Sequence, residues 1–207
     1  MKNPVLVCFA VPAEARFFTA PGARVLITGM GRKNAEASLL KALASVQPKL
    51  VLSCGFAGAL NPELPAGAVV FEADEAAGLE GRLTGAGARP ARFHCVDRVA
   101  TTAAEKRRLR DTTGADAVEM ESAVLRALCR VRHLPSATVR AISDTANEDL
   151  PFDFNALMTP GQKLSYIRLA GALVVAPGRI PALRRLQRQT ALAARNLARV
   201  IAQVIAE

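Results

Sequence analysis

Four carboxylates in this 207-residue chain stand where an apolar run stops. Glu14 follows Pro4–Ala10, Glu119 and Glu121 follow Ala115–Val118, and Asp144 follows Ala137–Ile142. Carboxylates gathered at one rim can take a proton from water, give one to a leaving group, or stabilise developing positive charge. Glu119 and Glu121 are two apart, so in extended backbone they face the same way. Two such groups side by side are costly unless a cation or ligand occupies them. Each residue alone has a plain structural explanation: a Glu before Ser122 suits a helix N-terminus, and Asp144 suits a cap or turn. The combination is what points to chemistry.

These side chains meet only if the apolar runs are strands of one sheet. Pro4–Ala10, Arg24–Thr28, Leu50–Ser53, Ala68–Phe71, Phe93–Val96, Ala115–Glu119 and Ala137–Ile142 read as short strands. Helical spacing is expected over Asn34–Val46, Ala103–Arg110 and Ser122–Val131, with Glu14 in a turn or short helix. Gly29-Met30-Gly31 closes the second strand, and Gly55-Phe56-Ala57-Gly58 is expected as a turn opening from the third. Ala73–Pro90, rich in Gly and Ala, is expected as loop or weak structure. Nearly all-apolar strands alternating with helices predict one α/β domain over residues 1–207, with a mostly parallel or mixed central sheet covered by helices. Ligands in such sheets sit beyond the strand ends, where the carboxylates stand.

The longest helical pattern runs from Arg179 to Ala206. Leu186, Leu197, Ile201, Val204 and Ile205 fall on one side, and Arg184, Arg185, Arg188, Arg195 and Arg199 on the other. The expectation is a helix packed by its apolar face, with the Arg face solvated or turned to anionic headgroups or a neighbouring subunit.

Composition narrows the classes. Half the residues are hydrophobic and 22% charged, which excludes a disordered chain. Lys and Arg number 27 against 18 acids, a net +9 that favours acidic partners or an anionic surface. One Tyr, eight Phe and no Trp argue against a stacking platform for single-stranded nucleic acid, so no nucleic-acid partner is expected. Cys8, Cys54, Cys95 and Cys129 form no CxxC pair and read as buried free thiols of a cytoplasmic protein. The apolar start stops at Glu14 and reads as a strand rather than an export signal. Leu50–Pro62, the longest uncharged run, is too short to span a bilayer.

Val118-Glu119-Met120-Glu121-Ser122, Val139-Arg140-Ala141-Ile142-Ser143-Asp144 and Gly55-Phe56-Ala57-Gly58-Ala59-Leu60 resemble the signatures of the nucleoside phosphorylase/nucleosidase superfamily. The likeness is to the branch containing 5′-methylthioadenosine/S-adenosylhomocysteine nucleosidase, and it runs from the first strand to Asp144. It implies that Met120 and Glu121 hold the ribose, with Glu119, Ala57, Gly58 and Val99 also against the substrate. It implies that Asp144, oriented by Ser143, protonates purine N7, and that Glu14 activates water beside Arg140. The implied transition state is an oxocarbenium ion flanked by carboxylates, reached with no metal or organic cofactor.

Glu14 stands where phosphorolytic relatives place Arg, and Ser53 and Phe56 stand where they have Arg and Ser. Water is therefore the easier nucleophile. Phosphate as co-substrate stays open, because Arg16, Arg32 and Arg140 are available to it. Val99 occupies the expected base-stacking position without an aromatic ring; Phe93 or Phe152 can substitute. Asp149-Leu150-Pro151, Leu157-Met158-Thr159-Pro160-Gly161 and the Pro177–Leu197 helix resemble the hopanoid-associated phosphorylases, short members of the superfamily. That likeness implies a lipid-linked adenosyl substrate such as adenosylhopane, a homodimer, and peripheral contact with the inner membrane face. The alternatives are a soluble methylthioadenosine-type nucleosidase acting on a small molecule, or a non-catalytic module that binds nucleosides or a membrane surface.

Overall fold

The computed structural model describes residues 3–206. Its strands are β1 (Val5–Phe9), β2 (Ala23–Ile27), β3 (Leu50–Ala59), β4 (Val69–Ala73), β5 (Arg89–Pro90), β6 (Phe93–Cys95), β7 (Ala117–Glu119) and β8 (Ser136–Asp144). Its helices are α1 (Pro12–Ala15), α2 (Arg32–Leu43), α3 (Glu80–Gly85), α4 (Ala103–Thr113), α5 (Ser122–Val131), α6 (Phe154–Leu157), α7 (Tyr166–Val175) and α8 (Ile180–Ala206). One mixed sheet runs β2-β1-β3-β8-β4-β5, with β7 paired to the end of β3 and β6 to β7. The β2-β1-β3-β8 pairings are parallel, while β4 joins β8 and β7 joins β3 antiparallel.

The two faces of β1 show how sequence drives this layering. Val5, Val7 and Phe9 point to one side, where they pack with Leu52, Phe71 and Val139 and with Leu197, Ile201 and Val204 of α8. Leu6 and Cys8 point to the other, against Leu39 of α2 and Leu125 and Cys129 of α5. Side chains of period two are thus buried on both faces, each large one worth about 1.5–3 kcal/mol. Buried Ala193, Ala194 and Ala198 are small enough to bring α8 close to the sheet.

Three stretches depart from the sequence expectation. Gly55–Gly58 is not a turn: β3 continues through it, paired with β8 over its whole length and with β7 at its end. Ala73–Pro90 is not loop: it holds a 3-10 turn at Glu75–Ala77, α3 and β5. Leu79, Leu83 and Ala86 recur at helical spacing and are buried, which outweighs the poor helix propensity of Gly81 and Gly85. The third is α7, a helix that the sequence reading left out. Tyr166, Ile167, Val174 and Val175 on it are between 78% and 87% exposed, and none of its residues is buried.

The C-terminal helix forms as expected, one residue shorter at its start. Its first twelve residues include none that is buried. The five arginines are exposed, but three have partners. Arg185 lies 3.5 Å from Glu148, Arg195 sits over the Phe17 ring at 5.2 Å, and Arg199 donates to the Ala86 carbonyl at 3.3 Å. Among the described residues no single helix is long and apolar enough to cross a membrane.

Candidate active site

Four sequence-predicted residues converge on one guanidinium. Arg140, on the central strand β8, is 2% exposed and is the largest fully buried side chain. Its Nη2 lies 2.6 Å from Glu119 Oε2 and 3.9 Å from Glu121 Oε2. Nη1 donates to the Ser53 carbonyl at 2.7 Å and Nη2 to Ser53 Oγ at 3.1 Å. Glu14 also acts on Arg140 electrostatically, and the three carboxylates outweigh burial to hold the guanidinium protonated. Its Nε is buried with no hydrogen-bond partner.

The three carboxylates differ in what they are free to do. Glu119 Oε2 accepts from the Glu121 and Ser122 N–H groups at 3.0 and 2.8 Å, and Oε1 from Ser122 Oγ at 2.7 Å. Burial alone would raise its pKa, but Arg140 and these donors carry it below the ordinary carboxylate value. With its side chain 1% exposed, Glu119 is the counter-ion of Arg140 and the N-terminal anchor of α5.

Glu121 keeps one oxygen less encumbered. Oε1 accepts from the Gly31 N–H at 2.7 Å, while Oε2 faces Arg140 at the longer distance. Burial pushes its pKa up to about 7, with the Arg140 charge opposing and Glu119 adding. Gly31 has φ +81°, so the Gly29–Gly31 turn delivers that N–H from a conformation L side chains rarely adopt. Met120, between the two glutamates, is buried.

Glu14 is buried in α1, just past β1. Oε2 accepts from Ala10 and Val11 N–H at 2.8 and 3.1 Å, and Oε1 from Phe56 N–H at 2.8 Å. Burial outweighs these bonds and the Arg140 charge, raising its pKa and making it a stronger base than an exposed glutamate. A Cβ on Gly55 would come within 2.6 Å of Glu14 Oε1, which is why the strand carries glycine there.

Asp144 closes β8 at a β-bulge. Ala57 pairs with Ile142 and Gly58 with Asp144, leaving Ser143 as the extra residue. Ser143 Oγ lies 2.6 Å from Asp144 Oδ1 and 3.3 Å from the Ala57 carbonyl, as an orienting group should. A Cβ on Gly58 would lie 3.2 Å from Asp144 Oδ2, so the second glycine also makes room for a carboxylate. Gly55 pairs with Arg140 and Gly58 with Asp144, three residues along β3, or about 10 Å at 3.3 Å per residue. One carboxylate cluster and one acid therefore sit about a nucleoside apart on adjacent strands.

Sequence reasoning missed Lys106. It lies in α4, its side chain wholly buried, with Nζ 2.5 Å from Asp144 Oδ2. A lysine spaced three residues before the half-buried Leu109, on an inward stripe of a basic helix, was the available signal. Arg16 and Arg32, expected as candidates for a phosphate pocket, are exposed on Phe17 and Asp97 and do not share Arg140's buried setting. Val99 is half-buried, its backbone held by Asn155, whose Oδ1 and Nδ2 lie 2.8 and 3.0 Å from its N–H and carbonyl. Phe152 is buried beneath Arg179, and Phe93 packs with Ala57, Val70 and Ile142. A cleft lined by Asp144, Leu150, Pro151, Ala182 and Leu186 runs to α8, and a cavity of about 300 Å³ lies by Leu60, Arg107, Arg110 and Asn147. Neither of these two is lined by Glu14 or Glu121. Burial pushes Cys8 and Cys95 up to about 12 and Cys129 to about 11, although Cys95 is half-buried rather than fully buried as expected.

Known proteins share this arrangement of chain. A 5′-methylthioadenosine/S-adenosylhomocysteine nucleosidase from Neisseria meningitidis, solved with methylthio-immucillin-A, is similar over 98% of both chains, with a TM-score of 0.70 and 17% identity. Futalosine hydrolase of Helicobacter pylori covers 99% of this chain and 97% of its own, with a TM-score of 0.69 and 14% identity. Among curated proteins, aminodeoxyfutalosine nucleosidase of Campylobacter jejuni is 37% identical over 62 residues, a stretch spanning 30% of this chain and 27% of that protein. The description of the phosphorylase superfamily matches residues 14–96 and 84–159, from Glu14 past Asp144. By that match the chain belongs to the phosphorylase superfamily.

Proposed function

We propose that this protein hydrolyses the N-ribosidic bond of an adenosyl compound, releasing adenine. The observation that carries the reading is the single buried guanidinium of Arg140 among Glu14, Glu119 and Glu121, with Asp144 four residues further along the same strand. Glu121 accepts ribose hydroxyls and, once ionised, stabilises positive charge growing at C1′. Glu14 removes a proton from the attacking water, which the unpartnered Arg140 Nε helps to place. Asp144, held by Ser143, supplies a proton to N7, because adenine leaves poorly as an anion. Phosphate is the weaker nucleophile candidate: a second anion would enter a pocket whose one guanidinium already faces three carboxylates.

The substrate we propose carries a large apolar 5′ group, of the adenosylhopane kind, met by a homodimer at an anionic membrane face. The exposed apolar face of α7 and the exposed Arg184 and Arg188 of α8 support it. The names of the similar structures favour the second reading, a small methylthioadenosine-type substrate. Incubation with methylthioadenosine and with an adenosine bearing a long 5′ hydrocarbon, with and without phosphate, decides between them. A free sugar of equal mass in both buffers, formed faster from the hydrocarbon compound, is expected. A sugar 1-phosphate refutes hydrolysis, preference for methylthioadenosine refutes the lipid-linked substrate, and no adenine from either refutes the activity.

A further inference from the structure

We infer that Lys106 is a positioning residue of this reaction: it shares with Asp144 the proton that departs on adenine. The inference rests on the proposed adenine release and adds a residue to it.

Among the described residues Lys106 Nζ has three partners: Asp144 Oδ2 at 2.5 Å, the Thr145 carbonyl at 2.8 Å and the Glu148 carbonyl at 2.9 Å. An ammonium has three N–H donors, and these three acceptors satisfy them. A neutral amine has two donors and one lone pair. The two carbonyls satisfy the donors, and the lone pair accepts from a protonated Asp144. Every hydrogen bond survives whichever partner carries the proton. The lysine side chain is 0% and Asp144 8% exposed, so solvent reaches the pair only through Asp144 and a separated charge here would be costly. The other ionisable groups around this pair are engaged elsewhere. The Glu148 carboxylate accepts from the Thr145 N–H and the Gln189 amide, Asp149 Oδ1 accepts from the Ala103 N–H, and Glu105 pairs with Arg98.

The step balances as follows. The C1′–N9 bond breaks with its electron pair moving into the purine, and N7 takes a proton from the Asp144 carboxyl. Lys106 supplies Asp144 when the proton rests on Nζ. Water adds to C1′ and loses its proton to Glu14. Solvent then removes the proton from Glu14 and returns one to the Lys106–Asp144 pair.

Without Lys106, the Asp144 carboxyl has no second group with which to share that proton. The test compares wild type with Lys106→Met on methylthioadenosine, or on the 5′-hydrocarbon adenosine if only that is cleaved, and on 4-nitrophenyl β-ribofuranoside. The last leaves as 4-nitrophenolate and needs no proton. The expected kcat ratio of wild type to variant for adenine release is about 10² or more. The same ratio for 4-nitrophenolate stays within about threefold. Glu14 and Glu121 titrate in both proteins and cancel in the ratio. Equal losses on both substrates would overturn the inference and leave the adenine-releasing function standing. Lys106→Gln, whose amide keeps two N–H donors for the carbonyls, gives the same comparison if the Met variant does not fold. A wild-type protein that releases adenine from neither compound refutes the function itself.

Discussion

Replacing Glu121 by Gln should stabilise the protein above neutral pH while removing its activity. Glu121 is held at about 7 against an ordinary 4.5, chiefly by burial. The folded state therefore binds this proton more tightly than the unfolded chain. As pH rises past 4.5 the unfolded chain loses it first, and folded stability declines until the carboxylate is fully ionised above 7. At 1.36 kcal/mol per pH unit the gap is worth about 3 kcal/mol. A neutral amide of the same shape avoids that cost and still accepts from the Gly31 N–H. For a chain of this size 1 kcal/mol moves Tm by about 2–4 °C, so Glu121→Gln should melt about 6–12 °C higher than wild type at pH 8.5. At pH 4.5 the two should melt together. Loss of two charged hydrogen bonds to ribose, each about 1.5–3 kcal/mol, should lower kcat/KM by about 10² or more. Thermal melts by circular dichroism across pH 4.5–8.5 check the first part and adenine release the second. A variant no more stable at pH 8.5, or stabilised equally at both ends, would show that burial of a charge at this position is not the cost we assign to it.

Arg140→Met should have the opposite sign: it leaves Glu14, Glu119 and Glu121 without their cation and should cost about 3–5 kcal/mol in urea unfolding at pH 8, a deficit that shrinks toward pH 5 as the carboxylates protonate. Gly58→Ala should lower adenine release at least tenfold with little change in fold, because its Cβ would stand 3.2 Å from Asp144 Oδ2 and 3.4 Å from Val118 Cγ1; unchanged turnover would mean the carboxyl is not held as we describe. Ile167→Glu with Val174→Glu should abolish co-sedimentation with phosphatidylglycerol vesicles and leave turnover of methylthioadenosine unchanged; binding that persists would place the membrane contact elsewhere.

The central strands and the carboxylates at their ends were legible because both signals are local. A run such as Val5–Phe9 is buried on both faces and can be little else, and an acid directly after it must lie at the rim. What escaped reading depends on partners far along the chain. Gly55 and Gly58 read as a turn, since their role is to clear space for Glu14 and Asp144, 41 and 86 residues away. Lys106 read as one more charge on a basic helix until the carbonyls of Thr145 and Glu148 were seen to enclose it. The helix α3 was hidden by its own glycines, and α7 by an apolar surface that nothing in the described chain covers. Glu119 was placed at the rim by its spacing, but its pairing with Arg140 was not legible, because spacing shows which way a side chain points and not which cation it meets.

Charge explains why the site is divided. Around Arg140 three carboxylates meet one cation, so that half carries excess negative charge, suited to a cationic sugar and to a neutral nucleophile. Around Asp144 one carboxylate meets one buried lysine, so that half is balanced and can hold a proton without an ion left unpaired. The two halves lie about 10 Å apart along the paired strands β3 and β8, and the bulge at Ser143 turns the second carboxyl out of the regular alternation that would otherwise set its direction. Removing the bulge would therefore separate proton donation from sugar stabilisation even with every site residue retained.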